Sequence, residues 1–163
     1  MDNLWHGVVS DFRDLPDAAE AIRMSIRLLL AALLGGLLGY DRERAGKSAG
    51  LRTHMLVSLG AALFVLIPQQ AGLANSEISR IIQGIVSGVG FLGAGSIVKK
   101  NKGEDVDGLT TAAGIWLTAA VGIAAGLGRE MSAILGAVLA FLILSTLARL
   151  TRSSKKTAEQ KSE

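Results

Sequence analysis

The sequence predicts an all-α fold, a polytopic transmembrane bundle of about five helical spans, and three observations carry that expectation. Half of the 163 residues are hydrophobic and only 19% are charged, too apolar a balance for an ordinary soluble domain, whose charged share is nearer a quarter. Five apolar stretches recur between short polar segments, most of them close to the roughly 20 residues a helix needs to cross about 30 Å of hydrocarbon. The cations also alternate. The segments after the first and third stretches hold Arg42, Arg44, Lys47 and Arg52, then Lys99, Lys100 and Lys102, and the tail holds Arg149, Arg152, Lys155, Lys156 and Lys161, whereas the intervening loops hold only Arg80 and Arg129. The positive-inside bias then places the N-terminus outside and the C-terminus in the cytoplasm, which requires an odd number of spans. A soluble helical bundle would carry a charged face on each helix, and "ILGAVLAFLILSTLA" carries none.

Residues 1–23 read as an amphipathic, extracytoplasmic segment leading into the first span. Asp14 is the expected N-cap, with Pro16 in the first turn and Asp17 and Glu20 at the positive end of the helix dipole. Arg23 and Arg27 can pair with Glu20 or snorkel to the headgroups. The first span is delimited as Met24 to Tyr40. The second, Leu56 to Ile67, is long enough only if Thr53, His54 and Met55 enter the headgroup region and Pro68 marks its far end. The third runs from Ile81 to Val98, the fourth from Leu109 to Leu127 with Asp107 or Thr110 as cap, and the fifth from Met131 to Leu150. Residues 24–150 thus form one transmembrane domain, and 151–163 a short polar cytoplasmic tail. The chain has no cysteine, so a disulfide framework and thiol chemistry are excluded.

Glycine is abundant, at 20 residues against 2 prolines, and its placement is informative. "GVGFLGAGS", residues 88–96, contains the spacing of a dinucleotide fingerprint, but that motif needs a long helix starting on the glycines. Only Ser96, Ile97 and Val98 follow before "KKNKGEDVDG", so the glycines serve another purpose. Helices in lipid associate through small residues that let backbones approach. At a spacing of four, the fourth span offers Gly114, Thr118, Gly122 and Gly126 in one row. The third offers Gly84 and Gly88 beside Gln83 and Ser87, and the first offers Ala31, Gly35 and Gly39 beside Ala32 and Gly36. Gly90, Gly93 and Gly95 are read with these as packing glycines, the alternative being a broken helix around a binding site.

The richest polar stretch is "GYDRERAGKSAGLRTH", residues 39–54. Asp41 and Arg44 are three apart and can pair on one helix face. Arg52 needs a partner at the membrane edge, and Asp41 is the nearest. His54 is expected as an interfacial hydrogen-bonding group, and Arg42, Glu43 and Lys47 as a solvated loop. Glu104, Asp105 and Asp107, with Asp41 as a further weak candidate, could hold a hydrated Mg²⁺, which keeps several of its waters and takes one or two carboxylates, although an ordinary charged loop is the better reading of the three. No nucleophile–base pair, phosphate loop or metal-binding helix is present, so neither an enzyme, nor a cofactor beyond Mg²⁺, nor a nucleic-acid partner is expected. The span centres lack Asp, Glu, Lys and His, the groups that proton-coupled transporters generally carry; transport would need a pore built by an oligomer or a hydrated-ion path.

In order and spacing, "GYDRERAGKSAGLRTHMLVSLGAALF", "RIIQGIVSGVGFLGAGSIV" and "DGLTTAAGIWLTAAVGIAAGLG" closely resemble the membrane domain of the MgtC/SapB family, over about Leu28 to Leu150. The resemblance implies a bacterial inner-membrane protein of a family associated with growth in low magnesium and, in some pathogens, with survival inside macrophages. Some members act by binding other membrane proteins such as ATP synthase, and some append a soluble C-terminal domain. It puts weight on Asp41, Arg42, Gly50, Leu51, Arg52 and Thr53, on the segment from Gly84 through Ser87 and Phe91 to Gly95, and on Thr110, Thr111, Trp116 and Gly122. Many members have Glu where this chain has Asp41. The resulting expectation is a non-enzymatic protein working through intramembrane contacts, a dimer favoured among homo-oligomers, with a magnesium or other ion transporter formed by an oligomer as the alternative.

Overall fold

A computed structural model describes residues 17–99 and 106–147, and these are almost entirely helical. The order is α1 (Ala18–Arg44), α2 (Leu51–Gln70), α3 (Asn75–Gly95), two-residue strands β1 (Val98–Lys99) and β2 (Val106–Asp107), α4 (Leu109–Gly126), and α5 (Glu130–Leu142), which runs on into one π-turn (Ile143–Leu147). Helices α1 to α4 are each long and apolar enough to cross a membrane; α5 is the shorter apolar helix. The antiparallel hairpin, pairing Val98 with Asp107 and Lys99 with Val106, is a small departure from the all-helical expectation. It closes the end of the bundle where α3 hands over to α4.

Local chemistry sets the boundaries, and several differ from expectation. The N-cap of α1 is Asp17, whose Oδ1 accepts from the Glu20 N–H at 2.6 Å; Asp14 and Pro16 lie outside the described residues. Helix α2 starts five residues before its apolar stretch and carries Pro68 inside its last turn, where the missing N–H costs only one ladder bond near a helix end. Helix α3 starts at Asn75 and stops at Gly95, so Ile97 and Val98 are not helical. Neither Thr110 nor Asp107 caps α4. Its N-cap is Gly108, in the left-handed region at φ +97°, where a Cβ would meet the Ser96 carbonyl oxygen. The left-handed backbone and the close approach require glycine independently. Of the fifth span, residues 148–150 lie outside the described residues, as do Glu104, Asp105 and the tail.

Helix α4 is the centre of the bundle and touches all four of the others. In its apolar window 56% of residues are buried, against 11% for α3, which is therefore the peripheral helix. Two interior clusters flank α4, one of Ala61, Val65, Val89, Ile115 and Ala119, the other of Ala31, Ala62, Val121, Ala125 and Ala137. Alanine dominates because short side chains let helix axes approach, the route to van der Waals contact where lipid gives no hydrophobic drive. Large apolar side chains such as Leu33, Leu56, Phe64 and Leu135 point outward and are 60–67% exposed, the arrangement of a bundle solvated by hydrocarbon rather than water.

Candidate functional site

The polar residues that the sequence singles out collect at one end of the bundle, where α1 finishes and α2 begins. The seam leading to them is built on glycine. A Cβ on Gly35 of α1 would stand 2.6 Å from the His54 carbonyl oxygen and 2.8 Å from Ser58 Cβ, and one on Gly39 would stand 2.7 Å from Leu51 Cα. From the other side, a Cβ on Gly122 of α4 would meet the Ser58 carbonyl oxygen, and one on Gly126 would lie 2.5 Å from that of Ala62. The first half of α2 is thus clasped between two glycine rows. Gly114 and Thr118 continue the α4 row; the Thr118 hydroxyl is fully buried and donates to the Gly114 carbonyl at 2.8 Å.

His54 sits inside this clasp, fully buried rather than at the interface. Its Nδ1 lies 2.9 Å from the Gly50 carbonyl oxygen, which can only accept, so Nδ1 carries the proton, and in the neutral imidazole Nε2 is left as an acceptor. That Nε2 faces Gly114, 3.6 Å from where a Cβ would be. Ser58, one turn on, is also fully buried; neither its Oγ nor His54 Nε2 has a hydrogen-bond partner among the described residues. Thr111 is buried as well.

Arg42 is the main correction at this end. It is not a solvated loop residue: it is 3% exposed, and its Nη2 donates to Asp41 Oδ2 at 2.6 Å and to the Leu144 carbonyl at 2.8 Å. Its Nε adds a second bond to the same carboxylate oxygen at 3.2 Å. Asp41 therefore pairs with its chain neighbour and with neither Arg44 nor Arg52. Arg44 instead lies over the Tyr40 ring, 5.5 Å from its centroid, and Arg52 and Thr53 are exposed. The signal for Arg42 was present in the spacing: Ala31, Gly35, Gly39 and Arg42 step by four, four and three along one face, so continuing the seam one turn reaches the guanidinium.

Two further pairings were not anticipated. Glu43 reaches across the α1–α2 turn to accept from the Leu51 N–H at 2.7 Å, standing in for the side-chain cap that Gly50 cannot supply. Glu43→Ala should lower stability by about 1 kcal/mol, read as thermal unfolding in detergent, and Glu43→Gln, which keeps an acceptor, should recover most of the loss. At the other end, Arg27 pairs with Glu130 at 3.4 Å rather than with Glu20, tying α1 to the start of α5.

The remaining candidates point away from this node. Gln83, Ser87, Thr110 and Trp116 are exposed. Of the α3 glycines only Gly93 meets a neighbour, Ala112 of α4; a Cβ on Gly84, Gly88, Gly90 or Gly95 would meet nothing within 4 Å. These four bring no helix closer within one chain. Among the described residues no three His, Cys, Asp or Glu side chains gather to hold a metal ion. Asp107 accepts from the Gly108 N–H at 2.9 Å, and Glu104 and Asp105 lie outside the described residues.

Comparison with known proteins gives this architecture relatives. The sequence pattern of the MgtC family matches residues 28–153. The chain is 45% identical to "Protein SrpB" of Synechococcus elongatus over 140 residues, 79% of this chain and 77% of that one. It is 43% identical to the "Putative magnesium transporter YhiD" of Escherichia coli K12 over 134 residues, 77% of this chain and 61% of that one. To "Protein MgtC" of Salmonella typhimurium it is 44% identical over 116 residues, 70% of this chain and 48% of that one. It thus spans less than two thirds of the latter two proteins. No solved structure matches it.

Proposed function

This chain belongs to the MgtC family, and from that membership we propose that it is a non-enzymatic, multi-pass protein of the bacterial inner membrane that supports adaptation to low magnesium by contacting other membrane proteins. It works as a homo-oligomer, a dimer in the simplest case, without a resident cofactor, with its N-terminus outside and its C-terminus in the cytoplasm. The supporting observation is the clasp around α2. An ion crossing within one chain needs a lined path between helices, and α2 lies with its backbone close against Gly35 and Gly39 on one side and Gly122 and Gly126 on the other. Asp41, the part-buried carboxylate at the end of α1, is already engaged by Arg42.

The competing reading is an ion transporter whose pore lies between copies, favoured by the name of the Escherichia coli relative and by the position of Asp41 at the mouth of the bundle. Two measurements separate them. The purified chain in proteoliposomes should give no Mg²⁺ flux above protein-free vesicles, while the same chain restores growth of a deletion strain at limiting Mg²⁺. Gradient-driven Mg²⁺ flux that Asp41→Asn abolishes would overturn the contact reading.

A further inference from the structure

Helix α3 presents a face that a lipid environment alone does not satisfy. Arg80, Gly84, Ser87, Phe91 and Ala94 step by four, three, four and three, one continuous outward stripe, and every one of them is exposed. Gln83 borders the stripe on one side. At 1.5 Å per residue Gln83 and Ser87 stand about 12 and 18 Å along a helix about 30 Å long, near mid-depth. Neither has a hydrogen-bond partner among the described residues, and a primary amide facing hydrocarbon has no water to turn to. The polar groups, not the glycines, mark this face as covered.

We propose that the cover is a second copy of this chain, docked α3 against α3 in parallel about a two-fold axis along the membrane normal. Every group on the stripe is complementary to itself or to its near neighbour, as an isologous contact requires. An amide is donor and acceptor at once, so Gln83 can pair with its own counterpart, and the Ser87 hydroxyl can do the same. Glu77, whose Oε2 also caps α3 by accepting from the Ala74 N–H at 3.1 Å, and Arg80 carry opposite charges one turn apart on this outward face, and neither forms an ion pair among the described residues; the two-fold brings each towards the opposite charge of the other copy. Phe91, 83% exposed, is the projecting side chain, and Gly84 and Gly88, with nothing within 4 Å, supply the recess. The alternating four–three spacing is that of left-handed helix pairs crossing near 20°. This inference rests on the contact reading above and specifies the surface it leaves open.

The chain lacks cysteine, so Ser87→Cys introduces a single thiol of nearly the same size. In native membranes treated with copper–phenanthroline, this variant should convert to a covalent dimer at least tenfold faster than Leu135→Cys, which places a thiol on an outward face of α5. Gly84→Leu and Gln83→Leu should each weaken dimerisation of the full chain in lipid by tenfold or more, measured by single-molecule photobleaching. Both positions are outward, so the fold of the single chain should be kept. Equal cross-linking at Ser87 and Leu135, or capture at Ser87 of a different membrane protein and never of a second copy, would overturn the proposal. Mg²⁺ flux by a chain that still cross-links through Ser87→Cys refutes the contact reading and supports this interface; growth support and no flux from a chain that stays monomeric does the reverse.

Discussion

Gly122→Ala is expected to lower the stability of the bundle by about 3 kcal/mol, the upper range for overpacking a rigid site, and to shift thermal unfolding in detergent by on the order of 10 °C. The added Cβ would meet the carbonyl oxygen of Ser58, with Ser58 Cα 2.8 Å away. Backbone cannot rotate aside as a flexible side chain can, so α2 and α4 would have to separate. Separation is costly here because α2 is held from both sides, and moving it off Gly122 presses it onto Gly35. Gly35→Ala should therefore give a comparable loss by the opposite route. Gly60→Ala is the control: its Cβ meets nothing within 4 Å, and replacing glycine inside a helix should raise stability by up to about 1 kcal/mol. If Gly122→Ala unfolds at the same temperature as Gly60→Ala, the clasp does not hold the bundle together.

The contrast between these glycines shows what sequence spacing can and cannot reveal. Hydropathy locates five helices, and α1 to α4 stand out because crossing hydrocarbon imposes a length that few other constraints produce. Spacing placed Gly114, Thr118, Gly122 and Gly126 on one face of α4, and the structure buries all four, the three glycines against α2. The same spacing put Gly84 and Gly88 on one face of α3, and that face is outward. Periodicity reports which residues share a side of a helix; it does not report which side has a neighbour. Helix ends were less legible for a different reason. Arg52 and Thr53 are polar yet helical because the helix extends beyond its apolar length into the interface, and the caps are formed by Asp17, Glu43, Glu77 and the left-handed Gly108, a choice made among several chemically competent residues by where the chain turns. By charge alone Arg42 reads as a solvated cation; its place on the seam outranks the cost of burying it because Asp41 and the Leu144 carbonyl are at hand.

Burial of that guanidinium leads to the second large effect, on Arg42→Ala. Removing one member of a buried, hydrogen-bonded pair costs about 3–5 kcal/mol because the survivor is left uncompensated. The Asp41 side chain is 20% exposed and can recover some hydration, so the lower end, about 3 kcal/mol, is expected. The same substitution frees the Leu144 carbonyl and unties the π-turn from α1, so limited proteolysis should cut the chain beyond Leu144 faster than in the unsubstituted protein. Arg42→Lys should recover only part of the loss: an ammonium keeps the charge, but it lacks the fork that lets Arg42 meet the carboxylate through two nitrogens while serving the carbonyl. Arg44→Ala, which removes an exposed cation over Tyr40, should change stability by no more than about 1 kcal/mol. The decisive comparison is the double substitution Asp41→Asn with Arg42→Ala. Since most of the cost of Arg42→Ala is the stranded carboxylate, neutralising that carboxylate should make the double variant more stable than the single one. A double variant less stable than Arg42→Ala would mean that Arg42 contributes through packing and the Leu144 carbonyl alone, and that the ion pair at the end of α1 is incidental to the fold.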